Sequence, residues 1–133
     1  MRTILFRGKR AANGAWVYGD LRQWESGRKG IWSYDLKHME KVLPETVGQF
    51  TGLLDNGGKM IFEGDIIRAE KHLFKYVGAV VYNDKGAKFG TVNAGGEDNY
   101  SFLFSLFVKE YNIRVIGNIH DSPELLGKYN EVK

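Results

Sequence analysis

The chain has no cysteine and only two prolines among 133 residues. Without cysteine there can be no disulfide, no thiolate metal site and no cysteine nucleophile. The same absence fits an intracellular setting. No apolar run approaches the roughly 20 residues that span a bilayer. The opening "MRTILFRGKR" is too short in apolar residues for a secretory core. The expectation is a soluble, cytoplasmic protein with no membrane partner. Histidine is scarce as well. His38, His72 and His120 are isolated and show no HxH, HxxxH or HExxH spacing, so a zinc site has no local signature. Serines occur at 26, 33, 101, 105 and 122 with no GxSxG elbow, and nucleophilic catalysis has no motif behind it.

What the chain does have is aromatic residues and glycine: eight Phe, seven Tyr, three Trp and 17 Gly. That mixture suits short strands joined by tight turns. Thr3–Arg7, Trp16–Tyr18, Asp20–Trp24, Ile31–Tyr34, Gln49–Leu53, Lys59–Phe62, Asp65–Ala69, Val77–Tyr82, Ala87–Val92 and Ile113–Ile116 read as strands. Asn13-Gly14 is a hairpin signal between the first two. Asp35 to Val47 reads as an irregular loop with a short strand around Lys41–Leu43, and residues 95–98 as an exposed loop. Tyr100–Tyr111 is apolar on nearly every side. Leu103, Leu106 and Phe107 would share a helical face, which favours a short helix there. "DSPELLG" carries a helix start, with Ser122 as cap, Pro123 at the first position and Gly127 as stop.

The stretch "TGLLDNGGKMIFEGDIIRAE", Thr51 to Glu70, concentrates the turn signals. A phosphate loop needs a following helix, whereas "DNGGKM" is followed by another strand-like run. Asn56, Gly57 and Gly58 therefore read as hairpin residues that supply positive φ. Asp65, next to Gly64, reads as a turn-fixing carboxylate that accepts backbone N–H bonds. Acid catalysis would ask for a partner, and Glu63 would face the other way on a regular strand. The expectation is a non-enzyme, with no catalytic, cofactor-binding or metal residues and no cofactor.

Charge is mild, +3 overall, but unevenly spread. Residues 1–50 hold nine Lys/Arg against five Asp/Glu, and residues 51–133 hold ten against eleven. Cations and rings interleave in the first part: Arg7, Arg10, Trp16, Tyr18, Arg22, Trp24 and Trp32 are the binding candidates. Single-strand nucleic-acid platforms combine these residue types. Protein interfaces are enriched in Trp, Tyr and Arg. A β core with aromatic residues at alternate positions would produce the same pattern.

Several motifs in order, "RTILFRGKR", "GAWVYGDL", "QFTGLLDNGGKMIFEGDIIRA", "GAVVYNDKGAKFG" and "VIGNIHDSPELL", resemble the YopX-like proteins of phages and prophages. The resemblance runs from Arg2 to about Leu126. It implies a phage or prophage origin and a mostly β fold, without an assigned activity. The family pattern in the turn usually reads "TGLKDKNGKEIFEGDI". Leu54 and Gly57 depart from it, which argues against catalysis by the turn itself. Gly64–Ile67 and Gly78–Val81 also look like the opening strands of SH3-like barrels.

The resulting expectation is one domain over residues 1–133, mainly β. Residues 1–47 form an aromatic β-hairpin or meander with a loop. Residues 48–126 form a small SH3-like or related β-barrel, with one or two short helices. Residues 127–133 are a tail. Function is expected to be non-catalytic binding of a protein partner, self-association included. The alternative is a nucleic-acid-binding accessory protein that uses the basic aromatic face.

Overall fold

The computed structural model describes residues 2–93 and 96–130. The chain is mainly β, with two antiparallel sheets and two short helices among the described residues. It divides into two compact units, Met1–Gly52 and Leu53–Lys133. No helix among the described residues is long and apolar enough to cross a membrane.

The first unit is a meander. β1 (Phe6–Lys9) pairs with β2 (Trp16–Gln23), β2 with β3 (Lys29–Ser33), and β3 with β4 (Met39–Val42), all antiparallel. The start of β5 (Gly48–Leu54) adds to the other side of β1, where Arg7 faces Gly48. The Asn13-Gly14 hairpin is present. Arg10 and Ala15 close it at 2.8 Å, Asn13 Oδ1 accepts the Ala15 N–H, and Gly14 takes φ 75°. The strand from Trp16 continues past Gly19 as expected, as one β2 that ends at Gln23. The first strand starts later than expected, at Phe6, and runs through Gly8 rather than stopping there. A side chain at Gly8 would press on Ile31 and Val42 at 3.2 Å, so the missing Cβ lets β1 continue against the core.

That core is Val17, Ile31 and Val42, with Phe6, Leu21 and Val47 packed on it. The ribbon curls strongly enough for the outer edge of β4 to find the chain just beyond β1. Arg10 bridges to Val42, the Ala11 N–H donates to the Lys41 carbonyl at 2.9 Å, and the Leu43 N–H donates to the Lys9 carbonyl at 2.9 Å. After β4, Pro44–Thr46 makes one short 3₁₀ turn where an irregular loop was expected. Thr46 Oγ1 accepts the Lys9 N–H there at 2.9 Å.

The second unit holds a five-stranded sheet. Its order is β10 (Gly96–Phe102), β9 (Lys88–Asn93), β8 (Phe74–Asn83), β7 (Asp65–Lys71) and β11 (Asn112–Asn118). No pairing of β10 with β11 closes it among the described residues, so the barrel expected over 48–126 is not a closed one here. The core face carries Ile67, Ala69, Val80 and Ile113, joined by Ile61 of β6 (Met60–Phe62). Over it lies α1 (Leu103–Val108), whose Leu103, Leu106 and Phe107 all reach this cluster. The ambiguous segment 100–111 is thus both things in turn: strand to Phe102, then helix. Lys109 and Glu110 donate back into the helix end, with Glu110 at φ 62°. Of the acidic loop expected at 95–98, residue 95 lies outside the described residues and β10 begins at Gly96. The last element, α2 (Glu124–Asn130), contacts β8. It continues through Gly127 instead of ending there, because glycine permits a helical turn as readily as it stops one. At its start the Ser122 backbone carbonyl, rather than the hydroxyl, accepts the Leu125 N–H.

The turn at 55–58 does more than reverse the chain. The Asp55 N–H donates to the Lys59 carbonyl at 2.7 Å and closes the hairpin between the end of β5 and β6. Asp55 Oδ1 accepts N–H bonds from Gly57 and Lys59 at 2.8 and 2.9 Å, and Oδ2 accepts the Val115 N–H at 2.9 Å. Asn56 adds a reciprocal pair with Ile113: its N–H donates to the Ile113 carbonyl, and its Oδ1 accepts the Ile113 N–H. Three outward groups of β11, otherwise an open edge, are thus satisfied: the Ile113 N–H and Val115 N–H by side chains and the Ile113 carbonyl by the Asn56 backbone. Only Gly58 of the expected three residues takes positive φ, at 86°. Burial opposes ionisation of Asp55, but its three backbone N–H donors and the nearby Arg114 outweigh burial. Its carboxyl therefore sits below the usual range.

Candidate functional site

Strand alternation sorts the interleaved rings and cations of the first unit. On β2, Val17, Gly19 and Leu21 turn to the core, and Trp16, Tyr18, Asp20 and Arg22 turn outward. On β3, Ile31 and Ser33 are inward and Trp32 outward. On β4, Glu40 and Val42 are inward, and Met39 and Lys41 outward. The register then builds rows across the outer face. Arg7 stands beside Tyr18, and Lys9 beside Trp16. Asp20, Trp32 and Met39 form one row, and Arg22, Gly30 and Lys41 another.

Trp32 is 42% exposed and Tyr34 44%, with Tyr18 and Met39 close behind, so this is a water-facing patch of large apolar groups. Tyr34 is tied down by donating its hydroxyl to Asp20 in a short bond. That bond, with smaller contributions from burial and from the Asp20 charge, raises the Tyr34 hydroxyl above its ordinary pKa. The backbone fixes the patch further. A Cβ on Gly19 would fall 1.6 Å from the Trp32 carbonyl oxygen, so only glycine permits β2 and β3 to approach this closely.

The other two indoles are already engaged. The Arg7 guanidinium lies 4.6 Å from the Trp16 ring centroid and Lys9 Nζ 5.5 Å. Arg22 and Arg28 lie 4.9 and 5.3 Å from the Trp24 centroid. Arg7 is itself buried. Of the seven candidates from the sequence, Arg7, Trp16, Tyr18, Arg22, Trp24 and Trp32 therefore share one face. Arg10 does not. It turns to the inner side, where its Nε donates to Glu40 at 3.0 Å, with His38 Nε2 3.1 Å from the other carboxylate oxygen. Glu40 is only 8% exposed. A buried carboxylate calls for such partners, which is why Arg10 leaves the outer face. Tyr34, Met39 and Lys41 belong to the face and were not among the candidates. Their two-residue alternation with Trp32 and with one another was the available signal.

Elsewhere, Asp65 is 2% exposed and accepts the Phe62 N–H at 2.7 Å, as a turn-fixing residue should. Gly64 takes φ 93° and donates its N–H to the Val80 carbonyl. Among the described residues no group of three or more His, Asp or Glu is placed to hold a metal ion.

The family model described as YopX protein matches residues 5–127. The chain belongs to the YopX family. The crystal structure of protein EF1440 from Enterococcus faecalis is similar to this YopX-family chain. It has a TM-score of 0.57 and 23% identity, over 95% of this chain and 99% of that one. At that identity the likeness establishes shared fold alone. No curated protein matches the chain.

Proposed function

We propose that this YopX-family chain is a non-catalytic protein-interaction module of phage or prophage origin. It works in the cytoplasm, and its contact surface is the outer face of β2–β4. The observation behind this reading is the exposed row of Trp32, Tyr34, Tyr18 and Met39, held on a rigid strand scaffold. Aromatic residues and Met are enriched at protein interfaces, and hot spots are typically Trp and Tyr. Nucleic acid is the weaker reading because cations already lie over Trp16 and Trp24, and Asp20 sits in the middle of the face. A base-stacking platform needs open rings in a positive groove. An SH3-like or related barrel left open between β10 and β11 in the C-terminal part belongs to the same proposal. It is supported by short antiparallel strands joined by tight turns and by the register shift in β11.

Size-exclusion chromatography with light scattering, run beside oligonucleotide anisotropy at two salt concentrations, tests the reading. Assembly beyond the monomer that weakens in Trp32→Ser, with flat anisotropy, is the expected result. Salt-sensitive oligonucleotide binding that is lost in Arg22→Glu would move the function to nucleic acid.

A further inference from the structure

Beside the β2–β3 turn, Trp24, Arg28, Lys29, Met39 and Lys41 line a pocket of about 220 Å³. Three of these five residues are cations and none is acidic. Two of the walls, Trp24 and Met39, pack over Gly30: a Cβ there would meet Met39 Sδ at 3.0 Å and Trp24 Cη2 at 3.1 Å. The indole edge and the thioether therefore lie directly against bare backbone, and both are open to a guest. The volume falls below the roughly 300–1,000 Å³ of typical small-molecule sites, and suits one anchoring side chain better than a cofactor. With Arg22 and Arg28 over its ring, Trp24 offers little face for a nucleobase to stack on. What remains is an apolar wall rimmed by positive charge.

We propose that this pocket receives one apolar side chain of an acidic peptide segment on a partner protein. The carboxylates flanking that side chain are met by Arg28, Lys29 and Lys41. The proposal rests on the interaction reading above and names the chemistry of its partner. Charge complementarity carries it, because a guest with the opposite pattern would bring cations onto three cations. Met39 suits such a guest, since a thioether adapts to aromatic and aliphatic shapes alike.

The probe is a blocked pentapeptide of four glutamates around a central phenylalanine, titrated into the ¹⁵N-labelled full chain. The three indole N–H signals are assigned with Trp16→Phe, Trp24→Phe and Trp32→Phe. The Trp24 signal is expected to move saturably. Arg28→Glu with Lys41→Glu should weaken binding at least tenfold, and added salt should weaken it in the parent. A Trp24 signal that stays fixed at millimolar peptide overturns the proposal. So does an equal response to the lysine counterpart of the peptide or to a short oligothymidine strand. Movement of Trp32 alone removes the pocket but leaves the interaction reading standing. The light-scattering result judges that reading separately.

Discussion

Replacing Asp55 by asparagine should destabilise the second unit far more than an isosteric surface change would. The carboxylate accepts three backbone N–H bonds of 2.8 to 2.9 Å, two within its own turn and one from Val115 of β11. An amide keeps one acceptor oxygen, enough for Gly57 and Lys59. Its NH₂ would then face the Val115 N–H, donor against donor. An orphaned donor of this kind costs about 1–3 kcal/mol, and the loss of charge assistance at the other two bonds adds to it. A total of about 3 kcal/mol is expected, which lowers Tm by on the order of 10–20 °C for a unit of this size. The effect depends on pH with a definite sign. Because the folded carboxyl is held below its unfolded value, its stabilisation is present above the unfolded pKa and is lost as pH falls through the folded one. The gap between parent and Asp55→Asn should therefore be widest near pH 7 and close on acidification. Urea melts of both proteins at neutral and acidic pH measure it. A gap under about 0.5 kcal/mol at pH 7, or one that does not change with pH, would refute the role given to this carboxylate.

Gly19→Ala should prevent the first unit from reaching its native melt, because the added methyl would sit 1.6 Å from the Trp32 oxygen; an unchanged thermal transition would contradict the close strand approach. Arg10→Ala leaves Glu40 buried with only His38 beside it, and should cost about 2–4 kcal/mol in a denaturant melt, of which Glu40→Gln on the same background restores part. Spectrophotometric titration should find Tyr34, raised by its bond to Asp20, and Tyr76, raised by burial, ionising above the ordinary tyrosine range. Asp20→Asn should return Tyr34 toward the ordinary value and leave Tyr76 alone.

Turn chemistry and alternation made most of the strands legible. Asn13-Gly14 is a hairpin because few other residues take that φ, and Trp16, Tyr18 and Asp20 share a face because side chains alternate. The short strand expected around Lys41–Leu43 is β4, which begins two residues earlier at Met39. A strand of four residues shows only two outward positions, Met39 and Lys41, too few for alternation to stand out from the flanking loop. Arg10 leaves the outer face for a different reason. It lies just past β1, in phase with Gly8 and out of phase with Arg7 and Lys9, and its partner Glu40 is 30 residues away. No local pattern reports a pairing at that distance. Two of the Asp55 contacts lie within four residues, as in any Asx turn, but the third reaches Val115, 60 residues on, which no local pattern reports. The split character of 100–111 was out of reach for periodicity, since an apolar run fits both strand and helix until packing decides.

In both units, native hydrogen bonds occupy a sheet edge that would otherwise be open. In the second unit, Asp55 and Asn56 engage Ile113 and Val115 on the outer edge of β11, so an incoming strand would find that part of the ladder taken. In the first unit, β4 gives its outer edge to Lys9–Ala11. Strand addition at either place would first have to break native bonds. Recognition at these two places must therefore go through side chains. The largest exposed side chains on the β2–β4 face are Trp32, Tyr34, Met39 and Tyr18. Strand addition at β4 would require displacement of the Ala11–Lys41 bond, so protection of the Ala11 amide from hydrogen exchange should persist in any complex. Loss of that protection on binding would mean that the edge, and not the ring face, is the contact.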